Sequence, residues 1–311
     1  MGVFTALADL VAPRSGGNIP EIRDLTVAEE TDVRGWTTGL VVDKPHDQVT
    51  VNMGLDTPGT VRESAWREWE DAIAKMDRMV ATCTIDETGG TATTPRIATT
   101  FRAVSKTQRK DISQLVTDVS LRQAELYERA ESLELPVRPL DAATVANLAH
   151  QGLTGAPGTW DDLRKVDLNN SIEDLIINDH RRVACFSVDI SRPEVADQLD
   201  GIMEDWEDDS AILRRTRFFR PYVQPEGTGE DMTTGRGRRW AIVTTTGELG
   251  DLSEIADGVL RAAFDSSPSI ALAMRRMRGR QRTGAMAGLG IGVLGFQHIA
   301  LAERSPKLDD K

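Results

Sequence analysis

The chain has 311 residues, is 40% apolar and 28% charged, and carries a formal net charge of −12. That composition fits one large globular domain or two of about 150 residues, and excludes disorder, a collagen-like repeat or a disulfide scaffold for the whole. The charge is uneven: residues 1–210 balance to −17 and residues 211–311 to +5, so the acidic body argues against wrapping nucleic acid while the last third leaves room for a local anionic contact.

Residues 1–35, turn-rich at Pro13, Gly16-Gly17 and Pro20, read as an N-terminal arm. A first α+β module is expected over 36–152. Leu40-Val41-Val42 and Val49-Thr50-Val51 flank Lys44-Pro45-His46-Asp47 as a hairpin. Ala65, Trp66, Trp69, Ile73, Met76 and Val80 recur at helical spacing and predict a helix over about 61–80. Strands follow at Thr82–Ile85 and Arg96–Phe101, separated by Gly89-Gly90. Ile112, Leu115, Val116, Val119, Leu126 and Leu133 share one face of a long helix closed by Pro136, and Asp141 is placed to cap a short one.

Gly152 to Gly158 marks a boundary, and 153–182 reads as a linker. The second α+β module spans 183–302, with a tail at 303–311. Its strands are expected at Ala184–Ile190, Trp240–Thr245 and Ile270–Met274, and its helices from Pro193 to about Asp208 and from Leu252 to Phe264. Both halves therefore show strands, a helix and further strands. The fold class is α+β, as two consecutive modules of mainly antiparallel sheet with packed helices.

Chemistry is sparse. Gly290-Ile291-Gly292-Val293-Leu294-Gly295 has the G-x-G-x-x-G spacing, but too few residues follow to complete a nucleotide-binding unit, so close backbone packing is the better account. The sequence holds no phosphate-loop, zinc-protease or serine-elbow motif. Asp179-His180-Arg181-Arg182 reads as a solvated turn ahead of an acid–base site. The acidic run Glu204–Asp209 lacks the alternation of a calcium loop. Cys83 and Cys185 stand apart without metal-ligand neighbours, as free thiols do. No motif implies a cofactor or a metal, and no enzymatic activity is expected. No stretch reads as a membrane helix; Thr283 to Ala302 comes closest, but is broken by five glycines.

Arginine is the exception. Arg214, Arg215, Arg217 and Arg220 surround Phe218-Phe219; Arg236, Arg238 and Arg239 precede Trp240; Arg275, Arg276, Arg278, Arg280 and Arg282 follow the last strand. Guanidinium forks pair equally with phosphate or carboxylate, so each cluster is either a partner site or an internal ion-pair set. The five C-terminal arginines are the candidate contacts for an anionic partner.

Several segments resemble a known family, the membrane-associated proteins encoded beside the conjugative ATPase in actinobacterial integrative and conjugative elements. These are distant relatives in style of the EccE component of type VII secretion. The resemblance is carried by Thr38–Val42 with Val49–Val51, Trp66–Ala81, Arg96–Phe101, Val137-Arg138-Pro139-Leu140, and Met277–Gln281 leading to Leu289–Gly292. The family's paired N-terminal membrane helices have no counterpart here, its tyrosine-aspartate-proline element is missing near 150–180, and Gly290 stands where it has proline. The resemblance implies an accessory subunit of a conjugative secretion apparatus, on the cytoplasmic side of the membrane. Its partners would be the motor ATPase, membrane components and possible further copies of itself, without direct DNA binding. An EccE-like subunit, or an enzyme taking a phosphorylated ligand on its C-terminal arginines, are the alternatives.

Overall fold

A computed structural model describes residues 22–31, 35–56, 63–74, 76–89, 95–206, 211–221, 237–248, 250 and 252–292. Most of the expected arm, the tail, and Glu207, Asp208, Asp209, Arg236 and Gly295 lie outside them.

The described chain is α+β, built on one antiparallel sheet of twelve strands. In the first half these are β1 (Leu25–Thr31), β2 (Thr37–Asp43), β3 (Gln48–Leu55), β4 (Met79–Thr88), β5 (Arg96–Arg102) and β6 (Val137–Pro139). Its helices are α1 (Glu63–Ile73), α2 (Lys106–Lys110), α3 (Ile112–Ser132), α4 (Ala142–Thr154) and α5 (Trp160–Lys165). The second half supplies β7 (Leu168–Asn170), β8 (Leu175–Ile177), β9 (Arg181–Val188), β10 (Ile212–Pro221), β11 (Gly237–Glu248) and β12 (Met274–Arg276). Its helices are α6 (Pro193–Glu204), α7 (Leu252–Ser266), α8 (Pro268–Ala273) and α9 (Gln281–Gly288).

The sheet order is β1-β2-β3-β5-β4-β10-β11-β9-β8-β7, with β6 beside β3 and β12 beside β9. Read from each outer edge inward, the halves have the same connectivity. Within each, strand–helix–two strands–helix–strand (β3 to β6, then β9 to β12) forms a split βαβ unit of the ferredoxin-like kind, preceded by a hairpin. The units meet where β4 pairs antiparallel with β10, Phe219 opposite Thr82 through Leu213 opposite Thr88. The repetition suggested by the element order is thus a repetition of topology, and the halves share one sheet.

Each unit packs its helices on the same face. Trp66, Trp69, Ile73 and Met76 are buried against Val49, Val51, Met53, Ile97 and Phe101 together with Leu115 and Leu126 of α3. In the second unit Val195, Leu199 and Ile202 of α6 and Ala256 and Val259 of α7 cover Phe186, Val188 and Val243. The opposite face is filled by α4 and α9. There Leu25 and Val41 from one end of the sheet share a core with Leu175, Val183 and Cys185 from the other, so the sheet curls around these helices. Trp160 and Arg164 of α5 donate to the Leu25 carbonyl, fastening the region after the first unit to β1.

Four local expectations need correction. The helix over 61–80 ends at Ile73, because Arg78 turns with φ 67° and Met79–Ala81 join the ladder to β5. Residues 25–31 of the arm form the edge strand β1. The 153–182 linker contains α5, β7 and β8; Thr159 and Asp162 form a capping box that starts α5. The strand at Ile270–Met274 is instead α8 followed by β12, since Ser267 caps a helix with Pro268 in its first turn. Five apolar residues cannot distinguish the two by periodicity, and the cap decides.

Candidate functional site

Three of the β10 arginines, Arg214, Arg215 and Arg217, are buried, and Arg220 near its end is half-buried. Arg214 and Arg215 point to opposite faces of the strand, as alternation requires, and each meets an acid from β4. Arg214 Nε donates to Glu87 Oε1 at 2.6 Å, and Arg96 Nη1 approaches the same carboxylate at 3.9 Å. Burial pulls Arg96 down to about 10, with Glu87 opposing the shift and Arg214 adding to it. On the helix face Arg215 donates to both Asp86 and Asp200. Burial alone would lower the Arg215 pKa; the two carboxylates outweigh it and raise it. Arg217 lies 5.2 Å from the centre of the Trp66 ring, and Arg239 Nε donates to Glu70 at 2.6 Å. Asp86, Glu87, Trp66 and Glu70 belong to the first unit and these arginines, Arg96 aside, to the second, so the cluster locks the units together.

The glycine motif has an equally internal account. Gly290 and Gly292, with φ of 64° and 87°, follow α9. A Cβ on either would collide with Ile85 or Thr50, so they let the chain cross the sheet at close range.

Asp179-His180-Arg181 sits at the tip of the β8–β9 hairpin. Asn178 and Asp179 both have positive φ (49° and 58°), and the His180 N–H donates to the Ile177 carbonyl at 3.1 Å, a type I′ turn. These residues rim a polar cavity of about 610 Å³ with Thr154 and Glu248. Burial lowers the Arg181 pKa, and Glu248 opposes the shift. Asp179 and His180 are exposed and no hydrogen bond links them, so the geometry there is that of a solvated turn.

Arg275 to Arg282 have a different setting. β12 runs antiparallel to β9 with Arg275 opposite Ser187 and Arg276 opposite Phe186. Arg276 and Arg278 share Glu173, at 3.5 and 3.1 Å. Arg278 remains 69% exposed, and Arg275 is exposed with no carboxylate on it among the described residues. Arg280 is half-buried, which lowers its pKa. Arg282 donates its backbone N–H to Asn170 at 3.2 Å at the start of α9. Gly279, between Arg278 and Arg280, donates to the carbonyl of Ile172, whose side chain is 70% exposed. Leu272, three residues before Arg275, is exposed as well.

The structure thus separates the sequence's arginines into a buried set, Arg214, Arg215 and Arg217, and a surface segment in which Arg275 and Arg278 are exposed and Arg280 is half-buried, held to Ile172 through Gly279. The participation of Ile172 was not legible in sequence, because a backbone hydrogen bond across a hundred residues brings it there. Among the described residues no three His, Cys, Asp or Glu side chains converge to hold a metal ion, and no helix is long and apolar enough to cross a membrane. No protein-family model matches the sequence, and no curated protein matches it.

Proposed function

We propose that the protein is a non-enzymatic accessory subunit of an actinobacterial conjugation apparatus of the type IV-like kind, docking on the motor ATPase or its membrane complex at the inner face of the membrane. The observation that carries this reading is the exposure of Arg275 and Arg278 in one short segment that begins after exposed Leu272 and bonds through Gly279 to exposed Ile172. Arginine beside uncovered aliphatic surface is the composition of a protein-binding patch. It stands on the basic third of an otherwise acidic chain, which suits an anionic partner surface. The segments that carry the family resemblance add support: they fall on β2, β3, α1, β4, β5, β6 and the approach to α9, the framework of the first unit and the helix filling the inner face.

The test is binding of the purified protein to the ATPase encoded beside its gene, at low and high salt, for the wild type and for Arg275→Ala with Arg278→Ala. Saturable binding that weakens with salt and falls in the variant is expected. Equal binding by both proteins at every salt concentration, or nucleotide turnover by the isolated chain above about one per minute that persists through further purification, would overturn the proposal.

A further inference from the structure

The C-terminal end of α3 opens onto a second cavity, of about 450 Å³, lined by Trp36, Tyr127, Glu131, Glu134, Leu135 and Pro136. Its size is within the range of small-ligand sites. Three features of it favour the same charge. Trp36 and Tyr127 meet edge to face, with ring centres 5.2 Å apart and planes at 88°; Tyr127 is buried while Trp36 stays 39% exposed on the cavity. Aromatic faces attract cations. The cavity also sits at the end of a 21-residue helix, where the macrodipole is negative. Finally, Glu131 and Glu134 are both exposed at its rim, and no basic side chain among the described residues pairs with either.

The backbone adds a fourth observation. The Glu134 N–H donates to the Glu131 carbonyl at 3.0 Å and the Leu135 N–H to the Ala130 carbonyl at 2.9 Å, a Schellman ending to the helix. The left-handed residue of that ending is Glu134, with φ 56°, where glycine would avoid the steric cost. The helix ending thus fixes the backbone of Glu134 where its side chain rims the cavity.

We propose that this cavity binds an organic cation, an alkylguanidinium or alkylammonium group, between the Trp36 ring and the Glu131 and Glu134 carboxylates. The inference goes beyond the assembly reading and does not depend on it. Such a group comes either from an arginine or lysine side chain of a peptide or from a free small molecule.

Isotope-labelled protein is titrated, and its tryptophan indole signals are followed, the Trp36 signal being assigned with Trp36→Phe. The probes are N-ethylguanidinium against neutral N-ethylurea, tetramethylammonium against tert-butyl alcohol, and a blocked Gly-Arg-Gly peptide. A saturable shift of the Trp36 signal with the cations and not with the neutral compounds is expected. Glu134→Gly is expected to weaken binding about two- to fivefold while raising Tm, and Trp36→Ala to weaken it about tenfold. Tighter binding of the peptide than of the free cations assigns the group to a protein side chain; the reverse assigns it to a small molecule. No saturable shift with any cation, equal shifts with the neutral compounds, or undiminished binding in Glu134→Gly combined with Glu131→Gln would each overturn the proposal. The glycine variant relieves strain, so the test survives even if Trp36→Ala does not fold.

Discussion

Arg215 and Arg275 are sixty residues apart in the same basic third of the chain, each on a strand, yet they have opposite fates. Arg215 lies on the central pair of the sheet with α6 above it, fully buried, and its charge is matched by Asp86 and Asp200. Arg275 lies on a three-residue strand beside β9, exposed and unmatched by any described carboxylate. An arginine's role is set less by its neighbours in sequence than by whether its strand is central and covered. The buried one ties the two units together, and the exposed one stays on the surface with no described carboxylate on it.

The largest effect should come from breaking the buried side of this comparison. Arg215→Ala strips buried Asp86 of its hydrogen-bonded cation, leaving only Arg217 at 3.9 Å, and Asp86→Ala leaves buried Arg215 with Asp200 alone; a loss of about 3–5 kcal/mol is expected in urea unfolding. A loss below about 1 kcal/mol in both variants would show that water reaches the β4–β10 seam.

An intermediate effect is expected where an exposed charge is fixed by hydrogen bonds. Asp141 caps α4 by accepting from the Thr144 N–H at 2.7 Å. Those bonds to Thr144 hold its carboxyl below the ordinary range. Asp141→Ala should cost about 1 kcal/mol at neutral pH. Because the folded pKa lies below the unfolded one, this stability is present above the unfolded value and is lost as pH falls through the folded value. The gap between wild type and variant in thermal unfolding should therefore close in acid; a gap that stayed constant would mean that the cap acts without its charge.

Arg275→Ala with Arg278→Ala should change stability by less than about 0.5 kcal/mol per site while lowering affinity for an anionic partner. Loss of folding in that variant would move these residues into the structural class. The smallest expected effect is none at all. Cys83 lies near Arg96, and Cys185 near Arg214 and Arg276, yet burial raises both thiols, Cys83 to about 12. Neither should react with a thiol reagent at about pH 8 until the protein is unfolded. Rapid labelling of the folded chain would mean that these nearby guanidinium groups outweigh burial.

Local signals made much of the first unit readable. Trp66, Trp69 and Ile73 announce α1 by spacing, Arg96–Phe101 announces β5, and Asp141 announces the start of α4. What sequence could not supply is what depends on remote partners. The strip of acids at Asp86-Glu87 carries no motif, and it becomes the counterpart of Arg214 and Arg215 only because β4 and β10 pair across 129 positions. The same holds for the cation cavity: Trp36 and Tyr127 meet through tertiary packing, and Glu134 looks like any surface glutamate until its backbone conformation is known. The arginine clusters were visible as composition, but their division into buried and exposed sets was not.

The antiparallel pairing of β4 with β10 has one more consequence. These strands occupy equivalent places in the two units, so the seam has the geometry of a homodimer joined along one edge, with a local two-fold axis through it. In a true homodimer every residue on that edge would face a copy of the same sequence. A strand bearing Arg214, Arg215 and Arg217 would then pair with a second basic strand, and one bearing Asp86 and Glu87 with a second acidic one, crowding like charges along the seam. Placing both units in one polypeptide frees the two edges to differ. The seam can then be acidic on one side and basic on the other, so that each unit is a poor partner for its own kind and a good one for its neighbour.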